Sequence, residues 1–290
     1  MSDALLHKLT MLAASAGGQS PGATVGDEIE LAGAIIWLIA LGSVVLLVWG
    51  FATALHPERA TLRRCPRRPT TLNPVHIIVV FFLWHGLTIG VMEALQAWGV
   101  ARFQAGVLGS LAGQMVGIPL ALFVAWTCFR RGLRWGLGLS ARHWLFDTGR
   151  GIAGYLAVFP VCLGLVQLFA WLLPADWQSK HSMLVALDEL TPAYKTLVII
   201  SAVVLAPVLE ELFFRGLLQS MLRRYVKPWP GILTASAIFA CVHAQAQNIP
   251  ALFVLGIALG YNYERCGRLW PVVLIHMLFN GVVLTFYLTR

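Results

Sequence analysis

Apolar runs of about 20 residues, the length a helix needs to cross a lipid hydrocarbon core, recur along this chain with only short polar connections between them. They predict eight spans, at residues 31–55, 75–94, 107–129, 151–173, 193–221, 231–244, 249–263 and 271–288. The sixth and seventh runs are short, which predicts tilted or irregular helices there. The expected fold is all-α, a polytopic transmembrane helix bundle. It divides into an N-terminal tail (1–30), four N-terminal spans (31–192) and a C-terminal core of four more (193–290). The tail carries a weak apolar patch and then a stretch rich in Gly, Ser and Pro, which fits an interfacial or disordered segment better than a signal peptide.

Composition agrees with this pattern. Hydrophobic residues make up 58% of the chain and charged residues 12%, and the mean hydropathy of +0.75 is too high for a soluble domain. Charge then sets an orientation. The first, third, fifth and seventh connections hold fifteen of the 21 basic residues, from Arg59 to Arg268, against three acids. The positive-inside rule puts those connections in the cytoplasm and both termini outside. A net charge of +8 held in such short clusters serves orientation. It lacks the extended basic patch that nucleic acid binding needs. The five cysteines are scattered, with neither metal-ligand spacing nor a disulfide framework. Gly109, Gly113 and Gly117 recur every four residues in the third run, as do Gly256 and Gly260 in the seventh. That spacing lets helix backbones approach, and packing within the bundle is its expected use.

Three polar clusters interrupt the last four spans. In the fifth, Glu210, Glu211 and Arg215 stand in an otherwise apolar run; ionised groups at membrane depth are costly and are kept for function. Glu211 and Arg215, four residues apart, share a helix face and can pair. Glu210 is turned about 100° away and has to find its partner on another helix. The sixth span offers His243, four residues after Phe239, and the eighth offers His276 and Asn280, again four apart. A rise of 1.5 Å per residue sets Glu210 about 20 Å above Arg223, His243 about 20 Å above Trp229 and Asn280 about 15 Å above Trp270, so all can meet at one level.

A carboxylate beside an imidazole can deprotonate a water and aim it at a carbonyl. A second imidazole with an amide can donate to the oxyanion that then develops. The expected chemistry is hydrolysis of an acyl bond, most simply a peptide, inside the membrane. No serine or cysteine accompanies the clusters in a nucleophile context. A membrane histidine on its own more often bonds a neighbouring helix, which is the reading for His85. Two other classes stay open. One is a non-enzymatic self-immunity or scaffold protein of the same fold. The other is an ion- or proton-coupled transporter with buried Glu and His as relays, which is expected to show internal repeats that this chain lacks.

Taken in order, the clusters resemble the CPBP group of intramembrane proteases, which contains the type II CAAX prenyl endopeptidases and bacterial bacteriocin-processing or self-immunity proteins. The resemblance rests on Glu210-Glu211 with Arg215, Phe239 with His243, and His276 with Asn280. Its flanks are Ala206-Pro207, Phe214-Arg215-Gly216-Leu217 and Leu269-Trp270-Pro271. It covers residues 201–284, and Leu137-Gly138-Leu139 resembles a further family feature. It implies an endopeptidase of the bacterial inner membrane, acting on a peptide or protein substrate at the lipid bilayer. Glu210 and His243 would activate the water, His276 and Asn280 would hold the oxyanion, and Glu211 and Arg215 would form a supporting pair. The group is often described as metalloproteases, in which case Glu210, His243 and His276 would ligate zinc. The helical His-Glu-x-x-His signature is absent, and a cofactor-free glutamate mechanism is expected.

Overall fold

The computed structural model describes residues 25–62, 65, 68–173, 190–243 and 247–288. Regular structure among them is helical, apart from one isolated bridge between Thr70 and Phe129. Each predicted apolar run is a helix: α1 Val25–Leu55, α2 Pro74–Ala97, α3 Arg102–Cys128, α4 Trp144–Leu172, α5 Pro192–Tyr225, α6 Pro228–Val242, α7 Ile249–Cys266 and α8 Leu269–Leu288. Six of these, α1 to α5 and α8, are long and apolar enough to cross a membrane. The shortness of the sixth and seventh runs carries through, with 15 residues in α6 and 18 in α7. α1 starts at Val25, ahead of its apolar run, and so takes in the end of the expected tail. The rest of that tail and residue 244, the expected end of the sixth span, lie outside the described residues.

Local chemistry sets the helix ends. Proline opens α2, α5 and α6, where the missing N–H would have had no partner anyway. Asn73 caps α2, its Oδ1 accepting the His76 N–H at 3.3 Å. α7 stops at Gly267, whose φ of 68° is the left-handed conformation that glycine adopts freely, and whose N–H donates to Tyr263 O at 2.9 Å.

α5 is the axis of the molecule. From Glu211 to Met221 every residue is buried, packed against side chains of α2, α3, α6, α7 and α8. It is not a uniform α-helix: Ser201–Leu205 and Leu212–Gln219 are π-helical and flank the two glutamates. Such wider turns are rare and concentrate at functional sites. The outer helices show the reverse pattern, with Trp37, Leu47, Phe51, Val75 and Phe82 exposed. Apolar side chains over backbones satisfied within each helix suit lipid, and this is an integral membrane protein.

Both glycine stripes pack inside the bundle. A Cβ at Gly109 would lie 2.6 Å from Thr88 O of α2, and one at Gly117 would lie 2.8 Å from Leu209 Cδ2 of α5. On α7 a Cβ at Gly256 would meet Ser236 Cβ of α6 at 2.9 Å.

The four basic connections meet at one end of the bundle. Arg68 donates to Gly136 O at 3.0 Å and Tyr263 O at 3.3 Å, and its guanidinium lies 3.8 Å over the Tyr263 ring. Burial pulls its pKa down to about 10. Arg265 reaches Thr61 O at 3.4 Å, the Arg130 N–H donates to Pro69 O at 3.2 Å, and Leu269 N–H donates to Leu137 O at 3.0 Å. Arg223 pairs with Glu264 at 3.0 Å, and Arg268 with Asp147.

Candidate active site

Three helices bring the polar clusters together. Glu210 Oε2 of α5 lies 3.6 Å from Nε2 of His243 at the end of α6 and 3.7 Å from Nε2 of His276 on α8. Its neighbour Glu211 accepts from two donors through one oxygen: Arg215 Nη1 at 2.8 Å and His276 Nδ1 at 2.8 Å. The sequence pairs Glu211 with Arg215 along the helix; the structure adds His276 to that pair, so one imidazole spans both glutamates.

The outward hydrogen bonds decide what the imidazoles present to Glu210. A backbone carbonyl can only accept, so His243 Nδ1, 2.7 Å from Phe239 O, carries its proton there. The Glu211 carboxylate likewise accepts from His276 Nδ1. In the neutral rings both Nε2 atoms therefore present lone pairs. Two lone pairs and a carboxylate oxygen converge, and Glu210 Oε2 has no hydrogen-bond partner among the described residues. The two ring nitrogens, 3.6 and 3.7 Å from Glu210 Oε2, and that oxygen together are complementary to a group that brings hydrogens, above all water.

Phe239 holds this arrangement. Its ring is fully buried, with its centroid 4.6 Å from that of His243 and 5.6 Å from that of His276, and the Arg215 guanidinium is 4.7 Å above it. Ring faces attract the cation, so one side chain braces three members of the site.

A polar ladder runs from the site toward the basic end. Arg215 Nη2 donates to Gly256 O at 3.2 Å, and Gln219 Nε2 donates to Gly260 O at 3.1 Å and to Glu264 Oε1 at 3.3 Å, below which lies the Arg223–Glu264 pair. The close approach allowed by the α7 glycines thus exposes carbonyls that solvate buried polar groups of α5. Sequence reasoning reads those glycines only as packing positions. The signal was a shared period: Arg215, Gln219 and Arg223 recur every four residues, as do Gly256, Gly260 and Glu264.

Asn280 donates through Nδ2 to Ala202 O at 2.9 Å, which commits one amide hydrogen to the first π-helical stretch and leaves the other. Ser201, beginning that stretch, donates to Gln114 Oε1 of α3 at 3.0 Å. His85 stays apart, and the bond expected to a neighbouring helix is instead made within its own, to Phe81 O at 3.0 Å, with the ring stacked on that of Phe81. The zinc ligand set weighed above is Glu210, His243 and His276. No group of three or more His, Cys, Asp or Glu among the described residues could hold an ion.

Residues 192–282 match the family model described as Type II CAAX prenyl endopeptidase Rce1-like. The match bears out the resemblance read from the sequence and encloses the three polar clusters. The chain is also similar to a Bacillus subtilis (strain 168) protein named "Putative membrane peptidase YdiL", at 24% identity over 159 residues, 53% of this chain and 59% of that protein. An Escherichia coli protein named "Uncharacterized 24.3 kDa protein" is 36% identical over 86 residues, 28% of this chain and 40% of that one. The chain spans less than two thirds of the length of either relative. No solved structure matches.

Proposed function

We propose that this chain, through the segment that matches the type II CAAX endopeptidase model, is an intramembrane endopeptidase that uses Glu210 and His243 to activate a water. The observation that carries this reading is the convergence of Glu210 Oε2 on two imidazole Nε2 atoms at 3.6 and 3.7 Å, with both Nδ1 atoms held outward. A water among them donates its hydrogens to the carboxylate and a ring nitrogen, which raises electron density on its oxygen. That oxygen attacks the scissile carbonyl carbon as Glu210 takes the proton. The oxyanion that forms is met by the second amide hydrogen of Asn280 and by His276 Nε2, which receives from Glu210, 3.7 Å away, the proton taken from the water. Glu211 stabilises that imidazolium through Nδ1 and is itself neutralised by Arg215. That proton then returns through Glu210 to the leaving amine, and the peptide bond breaks. The substrate is a peptide or protein at the membrane, and the metal-free route is the one derived from these residues.

The test is comparative proteomics of membrane and secreted fractions from cells carrying the wild-type chain or Glu210→Ala. A precursor that accumulates uncut only with the variant supports the reading. Identical proteomes, with both proteins present in the membrane, favour a non-enzymatic role for the same fold.

A further inference from the structure

We infer that the catalytic centre opens at the end of the bundle opposite the basic connections, so that water and the scissile peptide reach it from that face. This rests on the endopeptidase reading above, and it names the side on which that chemistry acts. The exposure of the site residues runs in one direction. The His243 side chain is 32% exposed and that of Glu210 15%, whereas Glu211 and Arg215 stand at 0% and 1%. From Glu211 on toward the basic end the path is closed: Phe214, Leu217, Gln219, Phe239, Leu255 and Leu259 are each at 1% or less. The polar ladder from Arg215 to Arg223 also occupies that route with hydrogen-bonded and ion-paired groups.

On the other side the wall is short. α6 ends at Val242, and His243 caps that end. α5 runs on from Glu210 back to Pro192, and α8 runs on from His276 to Leu288. Among the described residues α6 ends at Val242 and α7 starts at Ile249 while α5 and α8 continue, and residues 202–206 of α5 are half-buried or exposed. The Asn280 bond to Ala202 O lies along this open stretch and not along the plugged one.

The basic connections that mark the closed end are hydrogen-bonded to one another as a single layer. With that layer on the cytoplasmic face, the site faces away from the cytoplasm. The substrate class is then a membrane-anchored peptide presented on the exported side, rather than a chain lipidated and cut in the cytoplasm.

Sidedness can be read without any cleavage assay. In a full-length chain with its five native cysteines replaced by serine, single cysteines are placed by His243→Cys at the site, Asn248→Cys at the turn beyond it, and Arg131→Cys in a basic connection. A membrane-impermeant maleimide is applied to right-side-out and to inverted vesicles, with detergent-solubilised protein as the full-labelling reference. The expected result is that positions 243 and 248 label from the face opposite position 131. Labelling of position 243 from the same face as 131 overturns the inference, as does a position 243 that labels only in detergent. Because the readout is thiol access, an inactive or non-enzymatic protein still gives a decisive answer. Failure of the protease reading shows instead as an unchanged Glu210→Ala proteome.

Discussion

The buried Glu211–Arg215 pair supports the whole site, and its energetics can be measured by a double-mutant cycle. Both side chains are out of contact with solvent, with Arg215 Nη1 at 2.8 Å from Glu211 Oε1. Removing one partner of such a pair strands the other charge and costs about 3–5 kcal/mol. Glu211→Gln leaves the guanidinium with Gly256 O and the Phe239 ring as its remaining compensation, so its cost should lie near the top of that range. Arg215→Met strands the carboxylate less completely, because His276 Nδ1 still donates to it. A hydrogen bond to a charged group contributes about 1.5–3 kcal/mol, so a loss near 3 kcal/mol is expected. The E211Q/R215M double variant has no stranded charge and should recover about 2–3 kcal/mol relative to the sum of the singles. Equilibrium unfolding in mixed micelles, followed by circular dichroism as denaturing detergent is titrated in, measures each corner. Additivity within about 0.5 kcal/mol would refute the claim that the two residues act as one unit.

Other consequences can be checked on the same protein. His276→Ala should lower both turnover and unfolding stability, since it breaks the bond to Glu211, whereas His243→Ala should lower turnover and leave the melting temperature nearly unchanged. Phe239→Ala empties a fully buried ring site and should cost about 3–5 kcal/mol; the milder Phe239→Leu should fold yet cleave slowly, because both imidazoles lose their brace. Gly109→Ala drives a Cβ to within 2.6 Å of a backbone oxygen of α2. It should destabilise by about 1–3 kcal/mol without changing the oligomeric state seen by light scattering. Chelation with 1,10-phenanthroline should leave cleavage intact; complete loss restored by added zinc would contradict the metal-free mechanism.

Much of the fold was legible because lipid imposes a simple rule: a spanning helix must be long, apolar and internally hydrogen-bonded. That rule locates α1 to α8, and the lengths of the apolar runs mark α6 and α7 as the short ones. The polar clusters were legible for the converse reason, since a glutamate or arginine inside such a run has no bland use. The π-helical stretches of α5 were not legible. Hydropathy is blind to whether a carbonyl bonds the fourth or the fifth residue on, and Leu212–Gln219 contains no proline to announce a break. Partner choice was equally hidden. Helical spacing gave Glu211 its partner Arg215, but the bond to His276 depends on how α8 crosses α5, which no local pattern encodes. The carbonyls of Gly256 and Gly260 escaped notice because backbone acceptors leave no trace in residue identity.

The most direct measurement is the turnover of purified Glu210→Gln on the precursor that proteomics identifies, under conditions where the variant unfolds at the same temperature as the wild type. Loss of the general base should slow cleavage by about 10²- to 10⁴-fold. Near-normal turnover in that variant would contradict the assignment of Glu210 as the group that takes the proton from water.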